Sequence, residues 1–213
     1  MAHIPDGVLS APVLISGALV STGLLGVALR RLREAELPQA AVLAAAFFVA
    51  SLISVPLGPS SVHLLLNGLM GLLLGWAAVP AIFVALLLQA VFFGFGGLLV
   101  LGVNTLNLAL PALLVARLLR PMLQRMAELS SPQQRRALMI GGTAGVLAVL
   151  LTGLMLAASL VLSGEAFWPA ARVIVLSFIP LALIEGLVTG IVVAFLLRVE
   201  PALLRLDGGR HGA

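Results

Sequence analysis

The chain has 213 residues, of which 62% are hydrophobic and 9% charged, and its mean hydropathy is +1.22. A soluble domain of this length cannot bury so much apolar side chain, which excludes an ordinary globular enzyme with a large polar active site and identifies a membrane protein. There is no Cys, which removes disulfides, thiolate metal sites and thiol nucleophiles, and every basic residue is Arg placed beside apolar runs, so the formal charge of +4 is a topology signal and not a nucleic-acid stripe.

A hydrocarbon core takes roughly 20 helical residues per crossing, which leaves room for about six to eight crossings and no separate soluble domain. The opening residues, Met1 to Gly7, carry one acid and no Lys or Arg, so they lack the n-region of a secretory signal, and the apolar segment 8–29 reads as a retained first helix. Arg30, Arg31 and Arg33 follow it directly. The next segments are 39–55, closed by Pro56, Gly58 and Pro59; the short 62–76; 78–93, closed by Gly94, Gly96 and Gly97; and 98–119, which runs into Arg117, Arg120 and Pro121. A polar stretch, 122–136, precedes the last two segments, 137–162 and 172–197.

These runs are continuous rather than alternating, which excludes a β-barrel and demands helices. The expected fold is all-α: a polytopic membrane helix bundle of seven transmembrane helices forming one domain over 1–213, with a tail at 1–7, helices over 8–198 and a second tail at 199–213. With the N-terminus outside and the C-terminus cytoplasmic, every Arg except Arg172 falls on the inner side. Within 39–55, the pairs Ala40/Ala44, Ala41/Ala45 and Ala46/Ala50 permit close helix approach, either inside this chain or on a partner.

His3 and His63 both precede apolar helices on the expected outer side, whereas His211 lies in the C-terminal tail. A His this close to a free amine can chelate a cation through the amine, deprotonated amide nitrogen and imidazole Nδ1. Such a set suits Ni²⁺ and Cu²⁺, which prefer square-planar nitrogen, over Zn²⁺, Mg²⁺ or Ca²⁺. If Met1 is retained, four positions are filled without His63. If Met1 is removed, Ala2 supplies the amine, His3 an amide and its ring, and His63 the fourth ligand; this version gives both histidines a role. Pro5 and the Asp6-Gly7 turn bend the tail, and Asp6 caps the first helix or balances metal charge.

Three intramembrane polar residues stand out. Asn104 and Asn107 share a helix face, as interhelical glue or as donors behind a site. Glu185, downstream of Pro180, is an ionisable group at depth, either a functional residue or a neutral tie between helices. The chain has no phosphate-binding Gly-Lys-Ser/Thr loop, no His-Glu-x-x-His pair and no Gly-x-Ser-x-Gly elbow, so ATP-driven transport requires another subunit to hydrolyse ATP.

The opening His3-Ile4-Pro5-Asp6-Gly7-Val8-Leu9-Ser10, the Ser60-Ser61-Val62-His63-Leu64 step, the glycine-rich 93–98, the 102–107 block and Leu183-Ile184-Glu185-Gly186-Leu187 together resemble the CbiM/NikM family of substrate-capturing membrane subunits. The resemblance implies seven helices, a tail inserted from outside, and Ni²⁺ or Co²⁺ as transported substrate with no permanently bound cofactor. Its ligands on this chain would be Ala2 (or Met1), the backbone and ring of His3, and the ring of His63; Asn104, Asn107 and Glu185 are the candidates, from the polar residues alone, for donors behind them. Implied partners are a transmembrane coupling subunit, for which the Ala40 to Ala50 face is the candidate, ATPase subunits and a small auxiliary membrane protein, with this chain itself multi-pass in the cell (inner) membrane. The Ile-Pro-Asp-Gly variant favours nickel. The competing expectation is a self-contained secondary permease or channel in which Glu185 relays a proton or cation.

Overall fold

The computed structural model describes residues 3–52, 54–57, 60–127 and 133–204. Helix α1 (Ala11–Arg31) begins with Pro12 in its first turn, where a missing N–H costs nothing, and ends on Arg30 and Arg31. Helix α2 (Leu37–Ala50) has Pro38 in its first turn and stops earlier than expected at Ser51, whose hydroxyl donates back to the Phe48 carbonyl at 2.6 Å.

The all-α expectation needs a correction beyond that point. Residues Ser54–Leu57 (β1) and Ser60–His63 (β2) form an antiparallel hairpin with Ser54 opposite His63 and Leu57 opposite Ser60. Pro56 lacks an amide hydrogen and Gly58-Pro59 breaks any helical run, so the backbone pairs with itself as a hairpin instead. The expected crossing 62–76 is therefore a strand followed by the eight-residue helix α3 (Asn67–Leu74), every residue of which is buried. The bundle is completed by α4 (Ala78–Phe93), α5 (Leu101–Ala127), α6 (Gln134–Ser163) and α7 (Trp168–Val199).

Among the described residues, five stretches are long and apolar enough to cross a membrane: 11–31, 67–93, 101–127, 134–163 and 165–199. Helix α2, with 14 residues, and α3, with 8, fall short of that length alone. The stretch 67–93 is itself folded back. Trp76, at its bend, stacks under the Arg31 guanidinium at 4.5 Å, at the end of α1 remote from the N-terminal tail. His63, just before α3, and Gly96, just after α4, both lie beside His3 in that tail. Helices α3 and α4 thus run in opposite directions, and α3 starts at the depth of Glu185, well inside α7.

Helices α6 and α7 form the most extensive helix pair, and glycine is the reason. Gly141 and Gly145 on α6 face Gly186 and Gly190 on α7; a Cβ on Gly145 would sit 2.6 Å from the Glu185 carbonyl oxygen, and one on Gly190 2.7 Å from that of Leu138. Backbones meet where side chains would otherwise hold them apart. Of the α2 alanines, Ala40 is buried and Ala44 half-buried, while Ala41 and Ala45 are exposed beside Val42 and Val49. The C-terminal tail is described only as far as Leu204.

Candidate metal centre

The N-terminal tail enters the bundle and is held there by residues far away in sequence. Asn104, in the first turn of α5, grips Ile4 at both ends: its Oδ1 accepts the Ile4 N–H at 3.2 Å and its Nδ2 donates to the Ile4 carbonyl at 3.1 Å. Asp6 donates its N–H to the Gly96 carbonyl at 2.9 Å, and its carboxylate Oδ1 accepts the Val100 N–H at 3.0 Å. Asp6 therefore caps α5 and not α1, whose N-cap Ser10 makes no side-chain bond. This corrects the expected local cap: the bend at Pro5 carries Asp6 toward the glycine-rich loop. Gly97, at φ +137°, leaves the space that the Asp6 carboxylate fills.

His63 is fixed from the other side. Glu185 Oε1 accepts N–H bonds from Leu65 and from Leu66, the latter at 3.0 Å, and Oε2 lies 3.2 Å from the Leu66 nitrogen. These amides open α3, so an acceptor from α7 caps the helix that follows His63 and sets where β2 ends. Asn67 continues the anchorage, donating to the Leu108 carbonyl at 3.2 Å and to Thr152 Oγ1 at 2.9 Å.

The two rings meet at the junction of tail, hairpin and α4. Their centroids are 5.1 Å apart with 34° between planes, and each residue is only 5% exposed. His63 Nδ1 lies 3.1 Å from the Leu64 carbonyl oxygen, an acceptor that requires the proton on Nδ1 and leaves a lone pair on Nε2. That Nε2, and both ring nitrogens of His3, are buried without a hydrogen-bond partner. Burial, reinforced by the neighbouring His63 ring, pushes the His3 pKa down to about 3, and burial also lowers that of His63. Both rings are thus neutral at neutral pH and present lone pairs to a cation.

The structure brings His3 and His63 together and connects Asn104 to the tail and Glu185 to the His63 strand. It takes Asn107 elsewhere: its carboxamide pairs with Ser159 on α6, Nδ2 to Oγ at 3.2 Å, as glue between helices. Met1, Ala2 and His211 lie outside the described residues. Among the described residues no group of three or more His, Asp or Glu converges, so His3 and His63 are two side chains that could hold a metal only together with backbone or terminal donors. Sequence reasoning missed Gln89 and Ser51. Gln89 is fully buried in α4, and its Nε2 donates to Ser51 Oγ at 2.8 Å; a lone carboxamide in an otherwise apolar helix was the available signal.

Residues 3–203 match the family described as CbiM, cobalt uptake substrate-specific transmembrane region. A Haemophilus influenzae protein named "putative metal transport protein" is 40% identical over 203 residues, covering 95% of this chain and 96% of its own length. The fused nickel transport protein NikMN of Rhodobacter capsulatus is 40% identical over 146 residues, covering 65% of this chain and 41% of its own. A crystal structure of a transition metal transporter superposes with a TM-score of 0.79 at 25% identity, covering 99% of this chain and 100% of that one. The chain belongs to the CbiM family and is a membrane component of cobalt or nickel transport.

Proposed function

We propose that this chain is the substrate-binding subunit of an energy-coupling-factor transporter, capturing Ni²⁺ or Co²⁺ on the outer side of the cell (inner) membrane for ATP-driven uptake. The observation that carries the reading is the buried His3–His63 pair, with three unpartnered ring nitrogens where the anchored tail meets the end of β2. The donors are the amine of Ala2 after loss of Met1, the amide nitrogen and Nδ1 of His3, and Nε2 of His63. Retention of Met1 would complete four positions without His63, so the burial of His63 Nε2 against His3 favours the processed terminus. A planar all-nitrogen set favours nickel on ligand-field grounds.

The chain crosses seven times in this reading, with the N-terminus outside, the C-terminus cytoplasmic and α3 as a half-depth limb. It performs no covalent chemistry; ATPase subunits hydrolyse ATP, and a transmembrane coupling subunit docks on the Ala41, Ala45, Val42 and Val49 face of α2, with a small auxiliary membrane protein completing the assembly. A permease in which Glu185 relays cations has no comparable support, because both Glu185 oxygens are engaged by the Leu65 and Leu66 amides.

The test is a Ni²⁺ titration of detergent-purified chain with its native terminus beside a version extended by several residues, read by visible absorption and mass spectrometry. The expected result is one metal per chain with a square-planar d–d band, lost on extension. No binding by the native form overturns the reading, and metal uptake by this chain alone in vesicles without ATPases would transfer it to the permease.

A further inference from the structure

The Gln89–Ser51 pair sits beside the metal site and is used by nothing described so far. Its polarity runs one way. Ser51 Oγ donates its only hydrogen to the Phe48 carbonyl at 2.6 Å, so toward Gln89 it can only accept. Gln89 must then present its NH₂ to Ser51, at 2.8 Å, and its Oε1 in the other direction. That Oε1 is buried and has no partner, in a residue with no exposed surface. The Gln89 carboxamide is also near enough to the His3 ring to favour its protonated form, although no hydrogen bond of normal geometry joins them.

A chelate through the His3 amide and ring closes only through Nδ1, because Nε2 points away from the backbone. Metal binding at Nδ1 therefore puts the ring proton on Nε2, inside a site without water access, where an unpaired donor costs free energy. We propose that Gln89 is a positioning residue for the metal site: its Oε1 receives the Nε2–H of metal-bound His3, and Ser51 holds the carboxamide in the only orientation that allows this. The proposal rests on the reading of His3 as a ligand. It makes the C-terminal ends of α2 and α4 part of the site, and it selects the tautomer that a terminal chelate requires.

Square-planar Ni²⁺ is diamagnetic, so the ring proton is directly observable by NMR in the nickel-loaded, ¹⁵N-labelled full chain. The expected result is a slowly exchanging His3 Nε2–H resonance in contact with the Gln89 carboxamide. Gln89→Met removes the acceptor at similar volume and should weaken Ni²⁺ binding roughly tenfold while broadening or abolishing that resonance. Gln89→Glu, which keeps an acceptor, should restore both. Ser51→Ala leaves the carboxamide free to turn and should give a smaller loss, so it decides the matter if Gln89→Met does not fold. A nickel-loaded wild type with no protonated Nε2, or with its proton facing another group, overturns the role of Gln89 and leaves the ligand assignment standing. Failure of the wild type to bind nickel overturns the ligand assignment and this inference with it.

Discussion

His63 Nε2 is a lone pair held in place by its own ring's bond to the Leu64 carbonyl and by the Glu185 clasp on the next two amides. Replacing His63 with Ala should abolish high-affinity Ni²⁺ capture with the fold intact, as read by calorimetric titration and circular dichroism. Glu185→Leu strands two buried amides; at about 1–3 kcal/mol each, stability should fall by roughly 2–6 kcal/mol, measured by thermal unfolding in detergent. Glu185→Gln keeps one acceptor oxygen, so it should spare nickel binding and lose less. The His3 ring has a pH signature of its own. Its folded pKa of about 3 lies below the ordinary 6.5, so between those values the unfolded chain binds the extra proton. Stability from this group is fully present above 6.5 and is lost as pH falls toward 3. The melting temperature of the metal-free chain should drop across that window, and His3→Asn should flatten the profile.

At the scale of elements, the tail takes its geometry from α5 and is, in the proposed function, the arm that carries the ligands. Asn104 and the Asp6 cap fasten four residues that have no secondary structure of their own. Asp6→Ala should cost about 1 kcal/mol of helix capping. Its larger consequence is a mobile arm, since the chelate must then order the tail at its own expense. Faster hydrogen exchange at the Ile4 and Val100 amides together with weaker nickel binding is the expected pair of results. The β1–β2 hairpin and α3 are the complementary arm, and their common anchor is Glu185 on α7.

Across the whole molecule, the glycine seam between α6 and α7 determines where Glu185 stands, because Gly145 packs on the carbonyl of Glu185 itself. A Gly145→Val substitution should push α7 away, lowering folded yield and nickel affinity together even though it lies on a different helix from both histidines. Size-exclusion profile and titration of the soluble fraction check this. The absence of native Cys makes topology accessible as well: Ala166→Cys should be labelled from outside intact cells and Glu34→Cys only after permeabilisation.

Membrane residence, a mostly helical fold and the two histidines that meet were legible in the chain, because hydropathy acts locally and leaves its record residue by residue. The hairpin was not, since Val55 and Val62 are as apolar as a helix would need and only Pro56, Gly58 and Pro59 argued otherwise. The opposed glycines at 141 and 145 and at 186 and 190 were visible as spacing, but nothing in either run names its partner helix. Asn104 and Asn107, one turn apart and equivalent by sequence, went to separate tasks because α5 faces the tail at one and α6 at the other. Only tertiary structure decided that Asp6 caps α5, that Glu185 caps α3, and that His3 and His63 share one buried space. Each of these joins residues tens of positions apart, and such pairing is settled by packing and by the need to satisfy buried polar groups, which no local pattern encodes.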